Sequence, residues 1–96
     1  MRYTNGITLG QAIEQMVKEL RLKPRMDETR IKQGWERIMG KPIARYTSAL
    51  SLKGGKLYVK IENASLKQEL NYSREKMRDL LNRELENDVV KEVIIY

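Results

Sequence analysis

Two runs of alternating apolar and polar residues, joined by a pair of glycines, constrain the fold of this chain more than any other feature. Apolar side chains take every second position in segments 50–52 and 57–61, on either side of Gly54-Gly55. A period of two is that of a strand with one buried face, and paired glycines allow the positive φ angles that a tight hairpin turn needs. Segment 48–62 is therefore predicted to be a β-hairpin with one apolar and one basic face.

Two helices are predicted before the hairpin, because the apolar residues there recur every three or four positions. The first covers Thr8–Leu22 and is amphipathic, with Pro24 expected to end it. The second covers Asp27–Met39. The residues after it, Gly40 and Pro42, are expected to stop the helix and to form the turn that leads to the hairpin.

Both outer helices of the prediction begin with a capping-box pattern, Thr8 with Gln11 and Ser65 with Gln68. The second of these opens an amphipathic helix of about 20 residues, which is expected to cover the hairpin. After it, Val89–Tyr96 is dense in β-branched residues and is predicted to form a last strand that pairs with the hairpin. That segment is too uniformly apolar to show which of its side chains face outward.

The order of these elements, α-α-β-β-α-β, defines an α+β fold with a three-stranded sheet and its helices mainly on one face. At 96 residues the chain is expected to be a single domain, residues 1–96, with one modest core. No apolar run approaches the roughly 20 residues of a membrane-spanning helix, and the N-terminus lacks a signal-peptide pattern. A soluble, unprocessed protein of the cytoplasm is the expectation.

The chain contains no His and no Cys, which removes most catalytic and metal-binding chemistry. Neither a Ser-His-Asp triad nor a Cys-His nucleophile can be assembled, and the usual zinc, haem and iron–sulfur ligands are missing. No catalytic residue, metal site or cofactor is therefore predicted. The protein is expected not to be an enzyme.

Basic residues are concentrated in the first two thirds of the chain. Residues 1–60 hold 13 basic and 5 acidic residues, whereas residues 61–96 hold 6 basic and 8 acidic ones, and no acid lies between Arg37 and Ile61. Lysine and arginine bind phosphates with little regard to sequence, and a tyrosine ring can stack on a base, so this acid-free run is the predicted nucleic-acid site. Its candidate contact residues are Lys41, Arg45, Lys53, Lys56, Tyr58 and Lys60. Ordinary solvation of an exposed strand face is the competing interpretation of these lysines.

An acidic cluster forms the counterpart, where the long predicted helix ends. Glu84, Glu86 and Asp88 lie there, and carboxylates at a helix C-terminus oppose the macrodipole, so helix stability does not explain them. They are a candidate docking patch for a basic partner surface. The alternative is that they only keep the protein soluble.

Several short motifs, taken in order, resemble the bacterial DciA family. The segment 35–40 reads Trp-Glu-Arg-Ile-Met-Gly, and Ile43-Ala44 come after it. Further along stand Gly-Lys-Leu-Tyr-Val at 55–59, Glu69-Leu70, and Leu80-Leu81-Asn82. The resemblance runs from about residue 9 to residue 95, which is nearly the whole chain. Within it Trp35 lies on the apolar face of its predicted helix and is expected to be buried.

The resemblance implies a fold similar to a type II KH domain and a non-enzymatic role in bacterial chromosome replication. Members of this family bind the replicative helicase and assist its loading on DNA. The expected partners are therefore the replicative helicase and single-stranded or forked DNA. Many relatives continue into a disordered C-terminal segment implicated in helicase contact, whereas this chain stops at Tyr96 and looks like a short form.

Two other functions stay open. One is a protein-interaction module without a nucleic-acid role, which uses the sheet face or the acidic helix end. The other is an RNA-binding domain of KH-like shape. Against KH-style clamping, no G-x-x-G lies between helices, and Gly54-Gly55 belong to the hairpin.

Overall fold

A computed structural model describes residues 8–96 of the chain, and the side chains of all of these except residues 20–24. The elements are α1 Leu9–Met39, α2 Lys41–Tyr46, β1 Thr47–Lys53, β2 Lys56–Ile61, α3 Ala64–Tyr72, α4 Arg74–Leu85 and β3 Glu92–Ile95. The predicted α+β class with a three-stranded sheet is confirmed. None of the described helices has the length and apolar character needed to cross a membrane.

The sheet has the strand order β1-β2-β3. The first two strands are antiparallel, with Leu52 opposite Leu57, and glycines 54 and 55 make the turn between them with φ angles of 56° and 80°. The last strand runs parallel to β2, with Val93 beside Leu57. The predicted hairpin and its pairing with the last strand are therefore confirmed.

One face of the sheet and the helices α1, α3 and α4 enclose the core. Leu57 and Val59 of β2 are 0% exposed, as are Ile31 of α1 and Leu81 of α4. The strands contribute every second residue to this face, as the period of two requires. The remaining buried apolar residues are Trp35, Leu52, Ile61, Leu70, Met77, Leu85, Val90, Val93 and Ile95. Helices α1, α3 and α4 therefore cover this face of the sheet.

The prediction that Pro24 ends the first helix is wrong. The helix α1 is continuous from Leu9 to Met39, and its start carries the predicted capping box, in which Gln11 N donates to Thr8 Oγ1 at 3.2 Å. Proline inside a helix removes one backbone hydrogen bond and costs about 3 kcal/mol, but it does not forbid helical φ. The packing of Ile31 and Trp35 against the sheet holds the second half of α1 in place.

The prediction of a turn after Gly40 is also wrong in part. Gly40 has φ 92°, as the helix end requires, but the next residues form the short helix α2, with Pro42 in its first turn. A chain of two hydrogen bonds fixes α2: Trp35 Nε1 donates to Thr47 Oγ1 at 2.9 Å, and Thr47 Oγ1 donates to Ile43 O at 2.7 Å. Trp35 is buried, as predicted, with its one polar atom satisfied.

The predicted capping box at Ser65 is wrong, because the helix begins two residues earlier. Asn63 is the N-cap, and its Oδ1 accepts from Leu66 N at 2.9 Å. The predicted helix of about 20 residues is interrupted at Ser73, which has φ −111° and ψ 13°, so that α3 and α4 are separate. Asn, Tyr and Ser at 71–73 are weak helix formers, which favours the interruption there.

The last strand is shorter than predicted because Val90 is held by a side chain instead of a neighbouring strand. Asn82 Nδ2 donates to Val90 O, and Val90 N donates to Asn82 Oδ1, both at 2.8 Å. Just beyond, Lys91 N donates to Gly55 O at 2.7 Å. A Cβ on Gly55 would lie 2.8 Å from the Lys91 side chain, so glycine is also needed there for close approach. These contacts set the point at which β3 joins the sheet.

Candidate nucleic-acid interface

The face of the sheet opposite the core, called here the open face, carries the lysines and the tyrosine of the predicted hairpin site. Register places nine side chains on it in three rows. The rows are Lys53, Lys56 and Glu92; Ser51, Tyr58 and Ile94; and Ala49, Lys60 and Tyr96. The last row is set by Tyr96 N donating to Val59 O at 2.9 Å and Ile61 N donating to Tyr96 O at 2.8 Å.

The open face has an apolar and aromatic centre between charged ends. Tyr58 and Ile94 are half-buried by their strand neighbours, and Tyr96 is 48% exposed. Lys56 and Lys60 are exposed at the two ends, about 13 Å apart along β2. In the described part of the chain the helices pack on the other face, so two rings are accessible beside lysine ammonium groups.

The structure does not place Lys41 and Arg45 on the open face. Both are exposed residues of α2, where with Glu36 they line a groove of about 550 Å³. The Arg45 guanidinium lies 5.8 Å from the centroid of the Tyr46 ring. Helix α2 meets the Lys60 end of the sheet, since Glu62 N donates to Tyr46 O at 2.9 Å. These two cations therefore lie on a helix next to one end of β2, apart from the lysines of the open face.

The run from Arg37 to Ile61 has no acid in sequence, but acids from elsewhere lie beside its bases in the fold. Lys60 Nζ lies 3.8 Å from Glu62 Oε1, and Glu92 is the register partner of Lys56. Arg37, at the start of the run, bonds Glu84 at 2.7 Å. Exposed pairs of this kind are weak and are screened by salt, so Glu62 and Glu92 reduce the field of the open face without cancelling it.

Glu28 supports the outer edge of the sheet beside Lys53. Its Oε2 accepts from Leu52 N at 2.9 Å, and Lys32 Nζ lies 3.2 Å from its Oε1. The Leu52 hydrogen bond is the main cause that lowers the pKa of Glu28, followed by the bond from Lys32, with a smaller effect of the Lys53 charge. The carboxylate satisfies a backbone donor on the edge strand that no other strand reaches.

The structure separates the predicted acidic docking patch. Glu84 faces α1, where it is the partner of Arg37. Glu86 is the C-cap of α4 in the left-handed region, with φ 55°, and with Asp88 it lines a shallow groove that Arg83 also lines. Only Glu86 and Asp88 of the three predicted residues thus remain together at the end of α4.

Sequence reasoning missed the contribution of β3 to the open face. Ile94 and Tyr96 lie beside Tyr58 and Lys60 only because β3 is parallel to β2 in one register. Burial of Val93 and Ile95 fixes the outward direction of the residues between and after them. The uniformly apolar segment itself carries no signal for this. The strand starts at the two hydrogen bonds between the Asn82 side chain and the backbone of Val90, called here the Asn82 clamp.

Comparison with known proteins gives the family of the chain. No curated protein and no solved structure matches the chain. A family model does match, described as "Dna[CI] antecedent, DciA", and it covers residues 8–95. The chain belongs to the DciA family. DciA proteins are linked to DNA replication and helicase loading in bacteria, and the replicative helicase is the partner associated with them.

Proposed function

We propose that this DciA-family protein is a non-enzymatic accessory of bacterial DNA replication that holds single-stranded DNA on the open face and contacts the replicative helicase through a different surface. The observation that supports the first part is the arrangement of the open face, where Tyr58 lies between the exposed Lys56 and Lys60, and Tyr96 lies beside Lys60. Membership of the DciA family supports the proposed contact with the helicase. The two activities together would bring the helicase and its strand to one place.

The geometry of the open face favours an unpaired strand over a duplex. Bases of a single strand can lie flat on tyrosine rings, and each such stack is worth about 1–3 kcal/mol, whatever the base. A duplex hides those base faces in its own stack, so only its phosphates would remain for Lys56 and Lys60. The three strands make the face about 10 Å wide, which suits one strand of nucleic acid.

The cations of α2 have a supporting role in this proposal. A strand that crosses Lys56, Tyr58 and Lys60 continues past the end of β2 toward Arg45 and Lys41. Phosphate contacts of this sort give affinity and salt dependence without sequence preference. We therefore place the stacking contacts on the sheet and the outer phosphate contacts on α2.

The decisive experiment reverses two charges on the open face. Lys56→Glu with Lys60→Glu should weaken binding of a labelled oligonucleotide by about tenfold or more, and should reduce the slope of log affinity against log salt by about 1.4, since two phosphate contacts are lost. Fluorescence anisotropy at several salt concentrations measures both quantities. The matched control is Lys18→Glu with Lys76→Glu, the same charge change on exposed helix positions off the sheet. Equal affinity and slope in both variants would remove the DNA proposal.

The helicase part is tested separately with purified replicative helicase. Capture of the helicase should survive in the Lys56→Glu, Lys60→Glu variant and after nuclease treatment, because the proposal puts the two contacts on different surfaces. Glu86→Lys with Asp88→Lys tests the acidic groove at the end of α4 as the helicase contact. If the open-face variant loses the helicase together with the DNA, a single shared surface replaces the proposal of two.

The acids beside the basic run favour one alternative, a module that binds only proteins. Glu62 and Glu92 lower the net charge of the open face, and this alternative expects no oligonucleotide affinity at moderate salt. A KH-like RNA-binding role is the other alternative, and it expects single-stranded RNA to outcompete DNA. The junction of α3 and α4 reads Asn-Tyr-Ser-Arg at 71–74, without glycine, which favours the open face over a glycine-loop clamp for either nucleic acid.

A further inference from the structure

The first half of α1 stands away from the rest of the protein and carries an apolar stripe that the proposed function does not use. Leu9, Ile13 and Met16 are 51–56% exposed, and Val17 is 38% exposed. Asp27 is the first buried residue among the described side chains of α1, and Glu28 Oε2 accepts a hydrogen bond from Leu52 N of the sheet. The described chain measures 58 × 21 × 19 Å, so the projecting helix accounts for its length.

We propose that this stripe pairs with the same stripe of a second copy of the chain, as two antiparallel helices. An isolated helix of some 15 residues is marginally stable in water, and exposed apolar side chains on one face add no stability until they are covered. A second copy covers both stripes at once and leaves the open face of each sheet free. The inference does not depend on the nucleic-acid proposal.

The spacing of the stripe is that of a helix-pairing seam. Leu9, Ile13 and Met16 are separated by four and three positions, and residue 20, a leucine in the sequence, continues the pattern by four. This alternation of four and three is the a and d pattern of a coiled coil, which gives a stripe narrow enough for one partner helix. A broad sheet or bilayer surface would need apolar residues over a wider arc.

The stripe is also complementary to itself when the two helices run in opposite directions. With the twofold axis between Glu14 and Gln15, Ile13 lies in one layer with Met16 of the second copy. Val17 then stands opposite Gly10 of the second copy, where the missing side chain leaves room for it. Each large flanking residue thus meets a small one.

Charge favours the antiparallel over the parallel pairing. Residues 8–19 contain one basic residue, Lys18, and two acidic ones, in a chain whose net charge is +6. Residues 25–96 hold 15 basic and 11 acidic residues, and a parallel pair would bring these two positive bodies together. In the antiparallel pair each body begins near Asp27, about 19 Å from the axis on opposite sides.

Sedimentation equilibrium of the whole protein over a range of concentrations tests the proposal. Wild type should show a reversible dimer at tens of micromolar, and Ile13→Glu with Met16→Glu should weaken the association at least tenfold. The matched control, Gln11→Glu with Gln15→Glu, adds the same charge to the polar side of the helix and should still dimerise. Unchanged emission from the buried Trp35 shows that each variant is folded. Wild type that stays monomeric at the highest concentration would overturn the proposal.

The antiparallel arrangement can be tested by disulfide cross-linking at introduced cysteines, because the chain has no cysteine of its own. Ile13→Cys and Met16→Cys chains, mixed and oxidised, should form the mixed disulfide far more readily than either chain forms a disulfide with itself. A parallel pair would give the reverse result and overturn the antiparallel arrangement. If wild type is monomeric while Ile13→Glu with Met16→Glu loses purified helicase, the helicase covers the stripe instead of a second copy.

Discussion

The two faces of the sheet share one backbone and differ in what lies against them. On β2, Leu57 and Val59 are completely buried under helices, whereas Lys56 and Lys60, one position away, are exposed. Apolar packing against the helices stabilises the covered face. The open face leaves tyrosine side chains accessible to water beside lysine ammonium groups, and this difference is why we propose ligand binding there.

Adjacent residues of β2 give the largest expected contrast. Leu57→Ala should lower the free energy of unfolding by about 2–5 kcal/mol, because it leaves a cavity in the core. Tyr58→Ala should lower it by less than about 1 kcal/mol but should weaken oligonucleotide binding by roughly tenfold, through the loss of one stacking partner. Urea unfolding followed by Trp35 emission and anisotropy with an oligonucleotide measure the two effects. Equal effects of both variants on both measurements would mean that the faces are not specialised.

The next largest effect is expected at Asn82, whose hydrogen bonds hold the start of β3, the strand that adds side chains to both faces of the sheet. Asn82→Ala removes two 2.8 Å hydrogen bonds to the backbone of Val90 and leaves those backbone groups without their partner. We expect a loss of about 2 kcal/mol or more in the free energy of unfolding. Asn82→Asp keeps only the acceptor and should fall between wild type and Asn82→Ala. If Asn82→Ala is as stable as wild type, the clamp does not position the strand.

A smaller effect is expected at the edge of the sheet and depends on pH. The folded protein lowers the pKa of Glu28, chiefly through the hydrogen bond from Leu52 N. The resulting stability is complete above the ordinary carboxyl pKa of about 4.3 and is lost as the pH falls through the lower folded value. Glu28→Gln should therefore be about 1 kcal/mol less stable than wild type at pH 7, with the gap closing in acid. A gap that is the same at pH 7 and pH 3 would contradict this role of the charge.

Sequence periodicity predicted which residues of the hairpin are buried, because alternation depends only on the strand and on one covered face. It failed where a single local signal was taken to decide a helix boundary. Pro24 is a sound reason to end a helix, yet α1 continues through it, since proline weakens a helix without excluding helical φ. Local capping rules placed a helix start at Ser65, while the structure uses Asn63.

The candidate site was predictable only in its hairpin part. The hairpin, which the glycine pair specifies, places four candidate residues on one face: Lys53, Lys56, Tyr58 and Lys60. The positions of Lys41 and Arg45 depend on the short helix α2, and that of Tyr96 depends on parallel pairing with β2. Glu62 follows the acid-free run directly and stands two positions after Lys60, whereas Glu92 reaches Lys56 only through the pairing of β3 with β2.

The smallest expected effects on stability separate two exposed tyrosines, one on the open face and one away from the sheet. Tyr72 at the end of α3 is 83% exposed, and Tyr96 is 48% exposed. Either substitution to alanine should change the free energy of unfolding by about 0.5 kcal/mol or less, since surface side chains contribute little. Tyr96→Ala should nevertheless weaken oligonucleotide binding several-fold, because its ring lies in line with Lys60, whereas Tyr72→Ala should not change it. Equal binding by the two variants would restrict the interface to the hairpin and remove β3 from it.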